Sequence, residues 1–134
     1  MQRYRGGAVL EMAICMPLLL MLSFGGAEYG DFFFVKNALV SAARNGARVA
    51  IPSTATEANV TAAVDSSMTA ANIPTTSYTI TTLPTDVSTA AAGASVTVTV
   101  TATWGTIGIT PLPTAMGGIS STRQVDGSIV MIKE

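Results

Sequence analysis

From Ala8 to Ala27 the chain runs AVLEMAICMPLLLMLSFGGA, twenty residues whose only charge is Glu11. As an α-helix this run rises about 30 Å, the thickness of one bilayer core. No other property constrains the fold as tightly, because a run of that length is more often a membrane segment than a soluble core helix. Its flanks orient it. Arg3 and Arg5 precede the run and Glu28 and Asp31 follow it, so the positive-inside rule keeps the short N-terminus cytoplasmic and exports the remainder. Glu11 is the anomaly, since an acidic side chain at the centre of a membrane helix costs about 2.5–3.5 kcal/mol on the insertion scale, less near its ends. One reading makes Glu11 interfacial, close to Arg5 and the headgroups. The other gives it a partner within the membrane.

The helical pattern continues beyond the run. Asp31 to Ile51, DFFFVKNALVSAARNGARVAI, holds no proline. Lys36, Asn37, Ser41, Arg44, Asn45 and Arg48 fall on one side and Ala38, Leu39, Ala42, Ala43, Gly46, Ala47 and Ala50 on the other, an amphipathic division. The small residues Ala38, Ala42, Gly46 and Ala50 suit close packing on another helix or a sheet, and ordinary core packing accounts for them as well. Pro52 ends the helix. Pro17 removes a backbone hydrogen bond inside the apolar run and predicts a kink there. Gly26 and Gly30 form a GxxxG spacing, read as flexibility rather than dimerisation.

After Pro52 a second helix is expected, with Thr54 as N-cap and Glu57 completing a capping box. Its apolar face holds Val60, Ala63, Val64, Met68 and Ala71, and Pro74 closes it. The period then changes to two. Ser77–Leu83 and Ser95–Trp104 predict strands, the latter with Val96, Val98, Val100, Ala102 and Trp104 on one face and threonines on the other. A last strand is expected over Ser121–Lys133. Pro84–Gly93 reads as an exposed loop. The loop Gly105–Gly118 is broken by Pro111 and Pro113, yet carries Ile107, Ile109, Leu112 and Met116, so it either folds back on the core or touches a partner. The expected fold is α+β: a long N-terminal transmembrane helix continuing into a small exported domain with a second helix and a three-stranded antiparallel sheet.

The chemistry of the remaining residues argues against catalysis. With no histidine, His-based acid–base work and the usual zinc sites are excluded. Glu57, Asp65, Asp86 and Asp126 are dispersed, with no spacing for a metal cage or a carboxylate pair. Cys15 lies in the apolar run and has no second cysteine to pair with. No serine or threonine sits in a nucleophile motif and no Gly-rich phosphate loop occurs. The seven basic residues are scattered on a chain of net charge −1, which gives no nucleic-acid surface. The expectation is a non-enzyme with no metal, cofactor or small-molecule substrate, displayed to contact other proteins.

A basic hexapeptide, Met1-Gln-Arg-Tyr-Arg-Gly6, precedes an apolar run with a glutamate at its fifth residue. This arrangement resembles the processing site of type IV prepilins, and in particular the TadE-like pseudopilins of Tad (Flp) pilus systems. Met16-Pro17-Leu-Leu-Leu20 and Phe24-Gly-Gly-Ala-Glu-Tyr-Gly30 are similar to that family's LPLLL…FGxxEFG stretch, and Asn37–Ala50 resembles its AxxxAAREGARxA segment. The resemblance covers about Gly6 to Ile51. It implies a pilin-like fold divided into a basic leader (1–6), a transmembrane and extended helix (7–51) and an exported α+β head (52–134). It also implies cleavage by a prepilin peptidase on the cytoplasmic side after Gly6. Glu11 would then be the fifth residue of the mature chain and pair with the new α-amino group, at Gly7, of a neighbouring subunit. Each charge would cancel the other's desolvation penalty and the pair would fix the stagger between subunits. A cut after Gly7 would make Glu11 the fourth residue.

On this resemblance the partners are the prepilin peptidase, other pilins or pseudopilins, pilus assembly proteins and inner-membrane lipid. The location is the bacterial inner membrane, single-pass, with the N-terminus cytoplasmic and the C-terminus periplasmic or extracellular, or a place in the pilus itself. Two other readings share the residues. Gly25-Gly-Ala27 offers small residues to signal peptidase, which would release a secreted protein cut after Ala27. A membrane-anchored adhesin outside any pilus would keep the same topology with no processing.

Overall fold

The computed structural model describes residues 5–110 and 112–134, so Met1–Tyr4 of the expected leader and the predicted loop-breaker Pro111 lie outside the described residues. One helix dominates. α1, Arg5–Ala50, is 46 residues long and therefore about 69 Å from end to end. It continues without interruption through Pro17 and through Gly25, Gly26 and Gly30.

The outer part of α1 is the spine of the head. Val35, Leu39, Ala42, Ala43, Ala47 and Ala50 are buried along it, while Asn37, Ser41, Arg44, Asn45 and Arg48 face outward. α2, Glu57–Ala70, packs against this part of α1 through Val60, Val64 and Met68. Three antiparallel strands follow, β1 (Tyr78–Leu83), β2 (Ser95–Thr103) and β3 (Gln124–Ile132), in the spatial order β1-β2-β3. Val100 of β2 stands opposite Ile80 on one side and Gly127 on the other. The result is an α+β fold of two layers, helices on one face of a three-stranded meander.

The alternation of β2 explains the layering. Val96, Val98, Val100 and Ala102 turn into the core, and Thr97, Thr99, Thr101 and Thr103 line the outer face. On that face Thr99 and Ser128 join their hydroxyls at 3.0 Å across β2 and β3. Two glycines set how closely the layers meet. A Cβ on Gly46 would stand 2.7 Å from Cγ2 of Val64 and 3.4 Å from side-chain carbons of Val60 and Val98. A Cβ on Gly127 would stand 2.5 Å from backbone atoms of Leu39 and Val40, so β3 and α1 touch main chain to main chain.

Several local expectations are corrected. The N-cap of α2 is Thr56, whose hydroxyl accepts from the Asn59 amide at 3.3 Å. Thr54 does not cap, because Ala55 is drawn into the core with its amide bonded to the Pro52 carbonyl, and the helix starts only after that turn. Glu57 reaches across to the sheet, where Thr82 Oγ1 donates to its carboxylate at 3.0 Å. Trp104 opens a short helical turn, α3 (Trp104–Ile107), instead of ending β2, although its side chain is buried on the core side. The linker after β1 is not wholly exposed, since Val87 is fully buried at the start of a 3-10 turn. Asp86 caps that turn, and its bonds from the Ser88 hydroxyl and amide hold its carboxyl below the usual carboxylate range.

Lys133 closes the far end of the head. It is buried, and its ammonium donates to the carbonyls of Val87 at 2.9 Å and Ala50 at 3.4 Å. A cation against the last carbonyl of α1 satisfies an orphan acceptor and meets the negative end of the helix dipole. Beside it the Glu134 amide donates to the Ile51 carbonyl at 3.0 Å.

Candidate functional site: the inner half of the long helix and its loop collar

Below the head, α1 stands alone. Val9, Leu10, Met12, Ile14, Leu18, Leu19 and Leu22 are each at least 60% exposed. This helix is long and apolar enough to cross a membrane, and none of its most apolar window is buried within the chain. Apolar surface of this extent, unpartnered in the chain, requires a cover of lipid or protein.

Gly6 and Gly7 lie in the first turns of α1, and a Cβ on Gly7 would meet no atom within 4 Å. Glu11 is one turn further on and exposed. Four residues along a helix place Gly7 and Glu11 on the same face, about 6 Å apart along the axis. Pro17 follows within the same exposed half. Of the small residues singled out for packing, Ala42, Gly46 and Ala50 are buried and Ala38 is half-buried. Gly46 packs on α2 and β2 of this same chain, so that face is occupied from within.

Where α1 leaves its bare half, it is gripped by the loop between α3 and β3. The Glu28 carboxylate is fully buried and accepts from the Ile119 amide at 2.7 Å. One turn along, Asp31 Oδ2 accepts from the Ile109 amide at 2.9 Å, and the Tyr29 hydroxyl donates to the Gly117 carbonyl at 3.4 Å. Leu112 lies over Gly25, its Cδ1 3.6 Å from where a Cβ would stand. Phe32 seals the upper rim, edge-on to Trp104 with ring centres 5.3 Å apart and with the Arg123 guanidinium 5.7 Å from its ring centre. The loop is thus a collar, fastened at both ends by carboxylates of α1. Sequence reasoning missed this role for Glu28 and Asp31, which read by position only as acidic flanks of the apolar run. The one available signal was the apolar character of the loop, which does fold back, on α1.

Two polar atoms in this region have no hydrogen-bond partner among the described residues: Glu28 Oε2 and Trp104 Nε1. No group of three or more metal-ligating side chains occurs among the described residues.

Residues 6–48 match the family of TadE-like proteins. The TadE-like segment begins within the first turn of α1 and stops two residues short of its end at Ala50. It therefore takes in the glycine pair, Glu11, Pro17 and the collar carboxylates Glu28 and Asp31, while the loop they hold lies beyond it. No curated protein and no solved structure matches the chain.

Proposed function

We propose that the chain is a minor pseudopilin of a Tad/Flp pilus, held in the inner membrane by the inner half of α1 and acting in pilus assembly or adhesion. The observation that carries this reading is the coincidence of the TadE-like match with one helix whose first turns hold Gly6, Gly7 and the exposed Glu11. A prepilin peptidase removes Met1–Gly6, and the new amine at Gly7 of one subunit meets Glu11 of its neighbour. Pairing is favourable because each charge alone is a desolvation cost inside the bilayer, and each lowers the other's. The role is non-catalytic. Its partners are the peptidase, other pilins or pseudopilins and the assembly machinery, and residues 52–134 form the exported head.

The secreted alternative, cut after Ala27, has less to support it. α1 is continuous through Ala27 and Glu28, and that cut would make the buried, collar-holding Glu28 the first residue of the released head.

Intact mass of membrane-extracted protein from cells with an active prepilin peptidase separates the readings. Loss of Met1–Gly6 is expected; loss of Met1–Ala27 would establish the secreted product, and a retained Met1 would overturn processing altogether. Glu11→Ala is expected to insert in the membrane yet be missing from sheared pili, whereas normal incorporation would remove the pairing mechanism.

A further inference from the structure

The collar loop stands beside a part of α1 that belongs to the apolar run. Leu112 covers Gly25, two residues before the end of the run at Ala27 and so about 3 Å inside it along the helix axis. Leu112, Met116 and Gly117 also form one wall of an open groove of about 540 Å³, whose other wall runs along α1 from Tyr29 through Leu22 to Leu18. Leu18 is about 14 Å inside the run. The loop tip and the bare helix are therefore at the same depth, and what surrounds one surrounds the other.

We propose that the described loop residues 109–110 and 112–117 are seated in the outer boundary of the bilayer, with acyl chains filling the groove between loop and helix. This rests on the membrane reading of Ala8–Ala27. Two features of the loop support lipid as the occupant. First, Gly105–Gly118 carries no charge, and Ile109 and Met116 point outward, 53% and 54% exposed. Second, irregular backbone survives at membrane depth only where its polar groups are answered within the protein. Here several of them are. Asp31 takes the Ile109 amide, Glu28 takes the Ile119 amide and Tyr29 serves the Gly117 carbonyl. The Met116, Gly117 and Gly118 amides bond to the Pro113 and Thr114 carbonyls, and Pro111 and Pro113 have no amide hydrogen to satisfy. A loop built this way is a depth stop. It sets how far α1 enters the bilayer, and so the level of Glu11, which lies about 21 Å below Gly25 along the helix.

The test uses the full chain in phosphatidylethanolamine–phosphatidylglycerol vesicles, with nitroxide labels read for collision with oxygen, which concentrates in lipid, and with a nickel chelate, which stays in water. One label goes on native Cys15. In a Cys15→Ala background, others go on Met116→Cys, on the neighbouring exposed site Ala115→Cys, and on Thr81→Cys of the outer sheet face as an aqueous reference. The expected result is that labels at Cys15 and Met116 favour oxygen several-fold over nickel, while the label at Thr81 favours nickel. If Cys15 is in lipid but both loop labels behave like Thr81, the collar proposal fails and the membrane reading stands. If the Cys15 label is also nickel-accessible, the membrane reading fails. Loop labels shielded from both reagents and broadened by a second label would put another copy of the chain in the groove, and overturn lipid as its occupant.

Discussion

Removing the Glu28 carboxylate should unfasten the collar while leaving the head folded. In Glu28→Ala the Ile119 amide, now bonded at 2.7 Å in a fully buried position, loses its acceptor. A buried donor left unpaired costs about 1–3 kcal/mol. Some of this is returned, because Glu28 Oε2 has no partner among the described residues and a carboxylate with a bare oxygen carries its own desolvation penalty. A net loss of about 2 kcal/mol for the docked loop corresponds to roughly thirtyfold more frequent opening. Glu28→Gln separates charge from geometry: its amide oxygen still accepts from Ile119, so it should lose less than about 1 kcal/mol. Hydrogen exchange resolved at Ile109 and Ile119 reads the difference directly. The alanine variant should speed exchange at both amides, with β2 amides unchanged, and the glutamine variant should lie near wild type. Unchanged protection of Ile119 in Glu28→Ala would refute the clasp, and a glutamine variant as weak as alanine would show that charge, not the acceptor, holds the loop.

The two contact glycines should respond differently to an added methyl. Gly46→Ala pushes on Val64 and should lose about 1–2 kcal/mol by denaturant melting, recoverable by Val64→Ala, whereas Gly127→Ala meets the α1 backbone and should lose about 3 kcal/mol or more with no such rescue. Tyr78 supplies a pH signature. Burial first, then its 2.6 Å hydrogen bond to Asp65 and the charge of that carboxylate, raise its phenol well above the ordinary tyrosine range. The folded state keeps the proton that the unfolded chain loses above about pH 10, so stability should fall as pH rises beyond that point, and Tyr78→Phe should flatten the decline.

Most of the architecture was legible because its signals are periodic. The unbroken Val–Thr alternation of Ser95–Thr103 can bury only one face, and the small residues from Ala38 to Ala50 can serve only a closely packed one. Single-residue decisions were not legible. Thr54 and Thr56 are equally able to cap a helix, and the choice between them was made by the burial of Ala55, a tertiary event. Val87 is one apolar residue in a polar linker, too little for any pattern. Of the candidate site, the glycine pair and Glu11 stand out because a carboxylate in an apolar run is conspicuous. Glu28 escaped notice for the converse reason. A charge just past such a run looks like a solvated flank, and only the arrival of Ile119 from ninety-one residues away makes it a buried acceptor.

The contacts that close the head impose an order on its making. The backbone of β3 at Gly127 lies on Leu39 and Val40, and Lys133 caps a helix end that precedes it by eighty-three residues. In the order of synthesis, the apolar stripe from Val35 to Ala50 is made first and covered last. Until β3 arrives, that stripe has only α2 and a partial sheet to shelter it. This half of α1 is thus the first part of the core to exist and the last to be sheltered, and docking of β3 ends that interval.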